Sequence, residues 1–395
     1  MSLTQIGAWA IAIPVGMLLY AYVGYPLLLW VLAIGRRETR HEDPEDWPSV
    51  SVSLIAHNEE ESIGGTLDAL LQSDYPPDKL QILVTSDAST DRTDEIVREY
   101  ESRGVELLRA ESRGGKTAAE NEATKLLRGE VVVNTDATIR LRPSCIKGLV
   151  VPFADPTVGV TSGRDISVGG EGTAALAGET GYVGYEMWVR SLESRLGSII
   201  GASGCCYAMR ADLHRMHVPE ILSRDFAAPL KAREQGYRSV HVGDAVCLVP
   251  RSVSVGIEYE RKARTIVRGL LTLSYYRVVL NPFRYGGFAL KLISHKLCRW
   301  LAPLLFPLAG AGIALLAVEH PWARVALGLC LAGLAVAWAV VRWPDERGTL
   351  PNAMTLLGFA VSSNIAVIAA WARFFTGARS MPAFWEPTRR EPIDV

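Results

Sequence analysis

Four stretches of this chain carry no charged side chain: Met1 to Gly35, Trp300 to Val318, Val325 to Val341 and Gly348 to Ala372. Each approaches the roughly 20 residues that carry an α-helix across a bilayer core. Four charge-free runs in one chain point to four membrane helices rather than to a greasy soluble core. The first run is too long for a removable signal peptide and lacks the basic start and small-residue cleavage site of one. Arg36, Arg37 and Arg40 follow it at once, and positive flanks stay in the cytoplasm. The polar segment from Arg36 to about Arg299 is therefore expected in the cytosol, on a multi-pass protein of the inner (plasma) membrane.

The remaining composition excludes more than it proposes. Lys plus Arg, 41, nearly balances Asp plus Glu, 42, so no basic footprint points to nucleic acid. The six cysteines (145, 205, 206, 247, 298 and 330) show neither zinc-ligand nor CxxC spacing. Cys205 and Cys206 are adjacent and poorly placed for an ordinary disulfide, and the seven histidines are scattered. Reduced, structural thiols in a cytosolic domain are the expectation.

Within the polar segment, apolar runs alternate with helical patterns. "SVSVSLIAHNEE" is a strand ending at His57-Asn58-Glu59, and an amphipathic helix, "EESIGGTLDALLQS", follows it. A second strand, "LQILVTSDAST", stops at Asp87; a helix starts near Asp91, and "VELLRA" is a third strand. "GGKTAAENEATKLLRG" is a helix with a glycine-rich entry, leading to "GEVVVNTDATIRLRP", whose three valines run straight into Asn134, Thr135 and Asp136. Repeated strand–helix–strand units predict an α/β, Rossmann-like, mainly parallel sheet with helices on both faces. Ligands of such sheets bind beyond the carboxyl ends of the strands. His57 to Glu59, Asp87 and Asn134 to Asp136 all stand at such ends. Any one of them alone reads as an ordinary turn; together they define a rim.

Two phosphate-binding signatures fit the rim poorly. No G-x-G-x-x-G follows the first strand, and in "RGGKTA" the first glycine of a P-loop would fall at Ala110. Lys116, at a helix start, can still face a phosphate, because the ammonium and the helix N-terminus both favour anions.

At this point the motifs resemble a known family. "VSLIAHNEEESIGGTLDALLQSDYPPDKLQILVTSDASTDRT", "RGGKTAAEN", "VVNTDATIRLRP", "GASGCCYAMR" and "RDFAAPLKAREQGYR" follow the order and spacing of family 2 inverting glycosyltransferases of GT-A fold. The likeness continues through "LNPFRYGGFALKLISHKLCRWLAPLL" to "FWEPTRR", and is to the membrane-embedded branch that includes cellulose, chitin and hyaluronan synthases. The resemblance implies a nucleotide-sugar donor, a UDP-sugar, with Asn58, Glu59 and Asp87 lining base and ribose and Lys116 nearby. It implies that Asp136 reaches the donor and a divalent metal, Mg²⁺ or Mn²⁺, whose oxygen-rich coordination suits a diphosphate. Asp225 corresponds to the general base for the acceptor hydroxyl, Ser203 and Gly204 to the acceptor-side loop. Arg261 and Arg264, in "RKART", lie where processive synthases carry Q-x-x-R-W and would hold the departing diphosphate.

The departures are specific. Thr138 stands where the motif has a second Asp, leaving the metal one anionic ligand fewer. Ser86 and Ala88 replace an Asp and a Gly beside Asp87, Arg224 precedes the base where an acid is common, and Thr265 replaces the Trp that stacks on the acceptor sugar. Arg224, if it points toward Asp225, would keep that carboxylate ionised; alternatively Asp225 is a helix N-cap.

Basic residues mixed with Leu, Tyr, Val and Phe between Gly256 and Arg299 read as amphipathic helices at the cytoplasmic lipid surface. Lys262 and Arg268 read equally as a membrane-facing basic stripe. The expected organisation is a membrane helix and basic flank over 1–40, a cytosolic GT-A domain over 48–255, and interfacial helices over 256–298. About three membrane helices over 299–376 and a tail over 377–395 complete it. The function so implied is extension of a polysaccharide or glycolipid from a nucleotide sugar, acting on a glycan or lipid-linked acceptor among membrane lipids. Transfer of one sugar to a polyprenyl phosphate, or a catalytically inactive nucleotide-binding subunit of an export complex, are the alternatives.

Overall fold

Three of the expected strands and the valine-rich one lie side by side. A computed structural model describes residues 1–36, 42–168, 174–250, 255–342 and 352–377. β1 (Val50–Ala56) is buried at every position, β2 (Leu80–Ser86) flanks it on one side and β4 (Val131–Asp136) on the other. β3 (Val105–Arg109) pairs with β2, and all three pairings are parallel. The apolar runs thus occupy the centre of a sheet covered on both faces, where period-two alternation is not required.

Past β4 the direction changes. β7 (Cys206–Arg210) pairs antiparallel with β4, and β6 (Val158–Val168) antiparallel with β7. β8 (Arg238–Pro250) runs parallel to β6, and β5 (Arg140–Leu141) closes the far edge antiparallel to β8. The full order is β3-β2-β1-β4-β7-β6-β8-β5. The sheet is therefore mixed: four of its seven pairings are parallel, as the alternation suggests, and the antiparallel ones all lie past β4. A parallel return from β6 to β7 would need a crossover lying on the sheet. The helix between them, Ala174–Arg195, instead packs Val189 and Leu192 against Tyr25 and Leu29 of the N-terminal helix.

Three helices are long and apolar enough to cross a membrane among the described residues: Leu3–Leu32, Gly287–Glu319 and Pro321–Val340. The first two meet at glycines. A Cβ on Gly312 would stand 2.7 Å from the Gly7 carbonyl oxygen, so the backbones touch as only small residues allow. The second starts at Gly287, taking in the last part of the segment read as interfacial. The fourth expected span begins outside the described residues. Its described helix, Asn352–Thr376, contains a shorter apolar part, Ala360–Thr376. It packs Ala370 on Val267 and pairs Arg373 with Glu260 at 3.2 Å. Arg37 and Arg40 lie outside the described residues, so the cytosolic orientation read from them and Arg36 stays an expectation.

Candidate active site

The strand ends form the pocket. Ile55 near the end of β1, His57 just after it, Asp87 after β2, Asp136 at the end of β4 and Lys116 line one concavity. The β1 and β2 ends each turn through a left-handed residue, Asn58 at φ 53° and Ala88 at φ 52°. Asn accepts this conformation readily, but alanine carries a Cβ penalty there.

The two loops are stitched together. The Asn58 Oδ1 accepts from the Thr90 N–H at 2.7 Å, and the Asn58 N–H donates to Ser89 Oγ at 3.2 Å. The N–H of the buried Glu59 donates to Thr93 Oγ1 at 2.8 Å. His57 donates from Nδ1 to the Asp87 carbonyl at 2.7 Å, which fixes its tautomer. Asn58 and Glu59 thus shape the pocket's edge by holding one strand end to the next.

Asp87 is buried, and both its oxygens accept backbone bonds: from Gly114 N–H at 2.7 Å and Gly115 N–H at 2.8 Å. Gly115 sits at φ 85°, and a Cβ on Gly114 would come within 2.8 Å of the Ala118 Cβ. Both glycines are required for the chain to close on Asp87. That closure launches the helix Lys116–Ala123 with Lys116 as its first residue.

Lys116 Nζ donates to Asp136 Oδ1 at 2.5 Å and to the Gly204 carbonyl at 3.3 Å. Burial disfavours the ammonium, but Asp136 first, then Glu120, more than offset it and raise the lysine pKa. Lys116 is a cation at any physiological pH. One turn along the same helix, Glu120 is 1% exposed, and burial pushes its carboxyl up despite Lys116 and Arg224.

Arg224 does not turn toward Asp225, so the condition for its keeping that carboxylate ionised is not met. Its guanidinium donates to Asn121 Oδ1 at 2.7 Å and to the His214 carbonyl at 2.6 Å, with Nε 3.9 Å from Glu120. His214 Nε2 lies 2.9 Å from Asn134 Oδ1, and burial, then Arg224, hold this imidazole neutral. The reason is local: Arg224 opens the helix Arg224–Glu234 on the side facing the Lys116 helix, which presents Glu120 and Asn121 to it. Arg224 therefore ties the two helices together rather than tuning its neighbour.

Asp225 is the second residue of that helix, and the cap position belongs to Ser223, so the N-cap reading is not what the structure has. Ser223 Oγ donates to Asp225 Oδ1 at 2.5 Å. The other oxygen lies 3.1 Å from where a Cβ on Gly204 would be, so a glycine is needed for the approach. Gly204 thus touches both Lys116 and Asp225. Ser203 is buried; its hydroxyl donates to Asp165 at 2.6 Å and its N–H to Ser162 Oγ at 2.8 Å. It supports the loop from behind. Thr138 is buried and does not line the pocket.

The basic helix, Val255–Tyr275, differs from its expected role. Arg268 turns inward, donating to Thr117 Oγ1 at 2.8 Å and to the Leu222 and Glu220 carbonyls at 2.5 and 3.1 Å. Burial lowers its pKa, against the pull of Asp225 and Glu120 and with Arg264 repelling it. Lys262 donates to Ser363 on the last helix at 2.7 Å. Both side chains have protein partners. Arg264 is half-buried beside Arg268, and the Arg261 carbonyl accepts from Thr265 Oγ1 at 2.9 Å. Arg268 is thus the arginine brought to the site's edge; its sevenfold spacing from Arg261 was the available sign that both share one helix face.

No group of three or more His, Cys, Asp or Glu that could hold a metal ion occurs among the described residues. Of the two carboxylates lining the pocket, Asp87 has both oxygens engaged by backbone N–H groups, which leaves Asp136 as the candidate metal ligand. That fits a hard cation shared with phosphate oxygens, which Mg²⁺-type sites commonly use, and not a closed all-protein cage.

The fold matches the solved mannosyltransferase PcManGT from Pyrobaculum calidifontis, in complex with GDP-Man and Mn²⁺. The TM-score is 0.69 at 22% identity, over 95% of this chain and 99% of that one. The architecture is accordingly a GT-A-like α/β fold carrying apolar helices. Residues 51–216 match the Glycosyl transferase family 2 model, and the chain contains a domain of that family. A beta-monoglucosyldiacylglycerol synthase of Synechocystis sp. is 33% identical over 122 residues, 30% of this chain and 26% of the relative. An N-acetylglucosaminyltransferase of Rhizobium sp. (strain N33) is 24% identical over 306 residues, 71% of this chain and 65% of the relative. The matched regions cover between 26% and 40% of the first three such relatives.

Proposed function

We propose that this chain is a membrane-bound inverting glycosyltransferase whose catalytic domain faces the cytosol. It takes a sugar from a nucleotide sugar, a UDP-sugar, and places it on the hydroxyl of a lipid-linked or glycan acceptor. The observation that carries this reading is the meeting of Asp136, Lys116 and Asp225 around Gly204. A carboxylate able to take a proton stands one residue's width from a cation able to face a diphosphate.

In the step itself, the acceptor oxygen forms a bond to the anomeric carbon while its proton passes to Asp225. The bond from that carbon to the diphosphate oxygen breaks, and its electron pair leaves on the diphosphate. Partial proton transfer suffices because the anomeric carbon is already cation-like, which suits an ordinary carboxylate. Lys116 stabilises the developing charge on the leaving group. Asp87 keeps the Lys116 helix start in place through Gly114 and Gly115, and Arg224 holds the Asp225 helix against it. Mg²⁺ or Mn²⁺ held by Asp136, when bound, would supply Lewis-acid stabilisation of the same diphosphate. Attack from the Asp225 side, with the diphosphate on the Lys116 side, inverts the anomeric centre.

Thr265 favours a single addition to a lipid over a long polymer. It is exposed and its hydroxyl turns back onto its own helix, so that position offers the acceptor no stacking platform. The glucosyldiacylglycerol synthase relative supports the same choice. Protein purified into lipid and incubated with labelled nucleotide sugars tests the reading. The expected result is a lipid-extractable product with inverted configuration from one donor. Donor binding with neither hydrolysis nor transfer from any donor would instead fit an inactive subunit.

A further inference from the structure

The acceptor-side loop has a second neighbour at the membrane. Where the helix Ala174–Arg195 meets the span Gly287–Glu319, two buried carboxylates are fully engaged. Glu193 Oε1 accepts from Tyr25 at 2.6 Å and lies 2.7 Å from His295 Nδ1. Glu186 takes the other side of His295 at 3.1 Å and the Arg299 guanidinium. Lys291 donates instead to the carbonyls of Glu193, Leu196 and Ser198, at the helix's C-terminal end.

Two further cations at this junction have no carboxylate within ion-pair distance among the described residues. Arg190 donates to Ser162 Oγ at 3.2 Å, the same hydroxyl that receives the Ser203 N–H. Lys296, half-buried, makes no hydrogen bond or ion pair among the described residues, and its Cε lies 3.9 Å from where a Cβ on Gly201 would stand. The loop therefore begins beside Lys296 and ends, at Gly204, beside Asp225. The positive field is felt nearby: burial, then Arg190 and Arg164, push the His241 imidazole down to about 3. Glu186 and Glu193 act on Lys296 through space, but four cations, Arg190, Lys291, Lys296 and Arg299, share these two carboxylates. Partly desolvated positive charge in excess is costly, and a bound anion is the usual remedy. Its source is constrained by place. Lys296 lies on an apolar helix long enough to cross a membrane, Gly287–Glu319, and Tyr20, Tyr22 and Trp188 are exposed around this junction.

We propose that Arg190 and Lys296 bind the phosphate of a membrane lipid, and that this lipid presents its headgroup hydroxyl to Asp225 as the acceptor. The inference rests on the glycosyltransferase reading and narrows its acceptor to phosphate-bearing lipids. The phosphate is a handle; the reacting oxygen is a hydroxyl, so the bonds made and broken are those of the transfer described above.

Equilibrium binding by the full chain in non-ionic detergent tests it with three probes: dihexanoylphosphatidylglycerol, dihexanoylglycerol and inorganic phosphate. The phosphatidylglycerol should bind, and Arg190→Gln and Lys296→Gln should each weaken it about tenfold, the loss of one charge-assisted contact. Lys296→Arg and Arg190→Lys should restore most of the affinity and guard against loss of folding in the neutral variants. Dihexanoylglycerol should bind more weakly and equally to all variants. Phosphatidylglycerol binding unchanged by either substitution would overturn the site. Inorganic phosphate binding as tightly as the lipid would overturn the lipid assignment. Donor hydrolysis in the same preparations reads the catalytic claim separately. Charge-dependent lipid binding without hydrolysis would keep the lipid site and remove the glycosyltransferase reading.

Discussion

Replacing Arg224 by methionine should loosen the joint that sets Asp225 against Lys116. The guanidinium is 3% exposed and gives two strong bonds, to Asn121 Oδ1 and the His214 carbonyl, beside the buried Glu120. A hydrogen bond from a charged donor contributes about 1.5–3 kcal/mol, and breaking a buried pair costs about 3–5 kcal/mol. Methionine keeps the volume of the aliphatic stem, and the Glu120 contact is long at 3.9 Å. The low end, about 3 kcal/mol, is therefore expected, equivalent to a Tm fall of about 6–12 °C for a domain of this size. Glu120 supplies an internal control. Its carboxyl is raised in the fold, so the unfolded chain loses this proton at lower pH than the folded chain does. Stability is thus lost as pH rises from the unfolded value toward the folded one. Glu120→Gln should be neutral near pH 4 and stabilising at pH 7, and should recover part of the Arg224→Met loss in the double variant. Thermal unfolding of the full chain in detergent at both pH values reads all of this. An Arg224→Met Tm equal to wild type, or a Glu120→Gln variant less stable at pH 7 than at pH 4 relative to wild type, would refute the reasoning.

Other consequences are simpler. Ala88→Gly should relieve the left-handed strain at φ 52° and raise stability by about 0.5–1 kcal/mol after glycine's unfolded-state entropy is counted; a lower Tm would contradict this. Gly204→Ala presses a methyl to 3.1 Å from the Asp225 carboxylate and should slow sugar transfer about tenfold with donor binding retained. Equal loss of donor binding, measured by calorimetry, would place Gly204 on the donor side instead. Asp136→Ala should abolish Mn²⁺-dependent UDP binding, and unchanged metal-dependent affinity would remove Asp136 from that role.

What the sequence made legible follows from how each feature is encoded. β1, β2 and β4 are unbroken apolar runs because both their faces are buried, and their polar ends announce the rim. β6 reads "VGVTSGRDISV", with glycines at 159 and 163 and register shifts against β8, so no clean period marks it. Its antiparallel partner β7 is short, and the mixed half of the sheet was accordingly invisible. Lys116, Asp136 and Asp225 were found from strand ends and motif order. The direction of Arg224 was not, since it depends on Glu120 and Asn121, about a hundred residues earlier. Glu186, Glu193, His295 and Arg299 were missed for the same reason: each carries no local motif and acquires its meaning only when two distant helices meet.

The central claim is that Asp225 accepts the acceptor's proton within a site whose donor side is built by Lys116 and Asp136. Asp225→Asn keeps the side chain's shape and an oxygen able to accept from Ser223, while removing the base. Sugar transfer and donor affinity, measured together on this variant in lipid, test the claim most directly. The account predicts transfer lost with donor binding and Tm retained. Transfer at near wild-type rate would leave Asp225 without a catalytic role and contradict it.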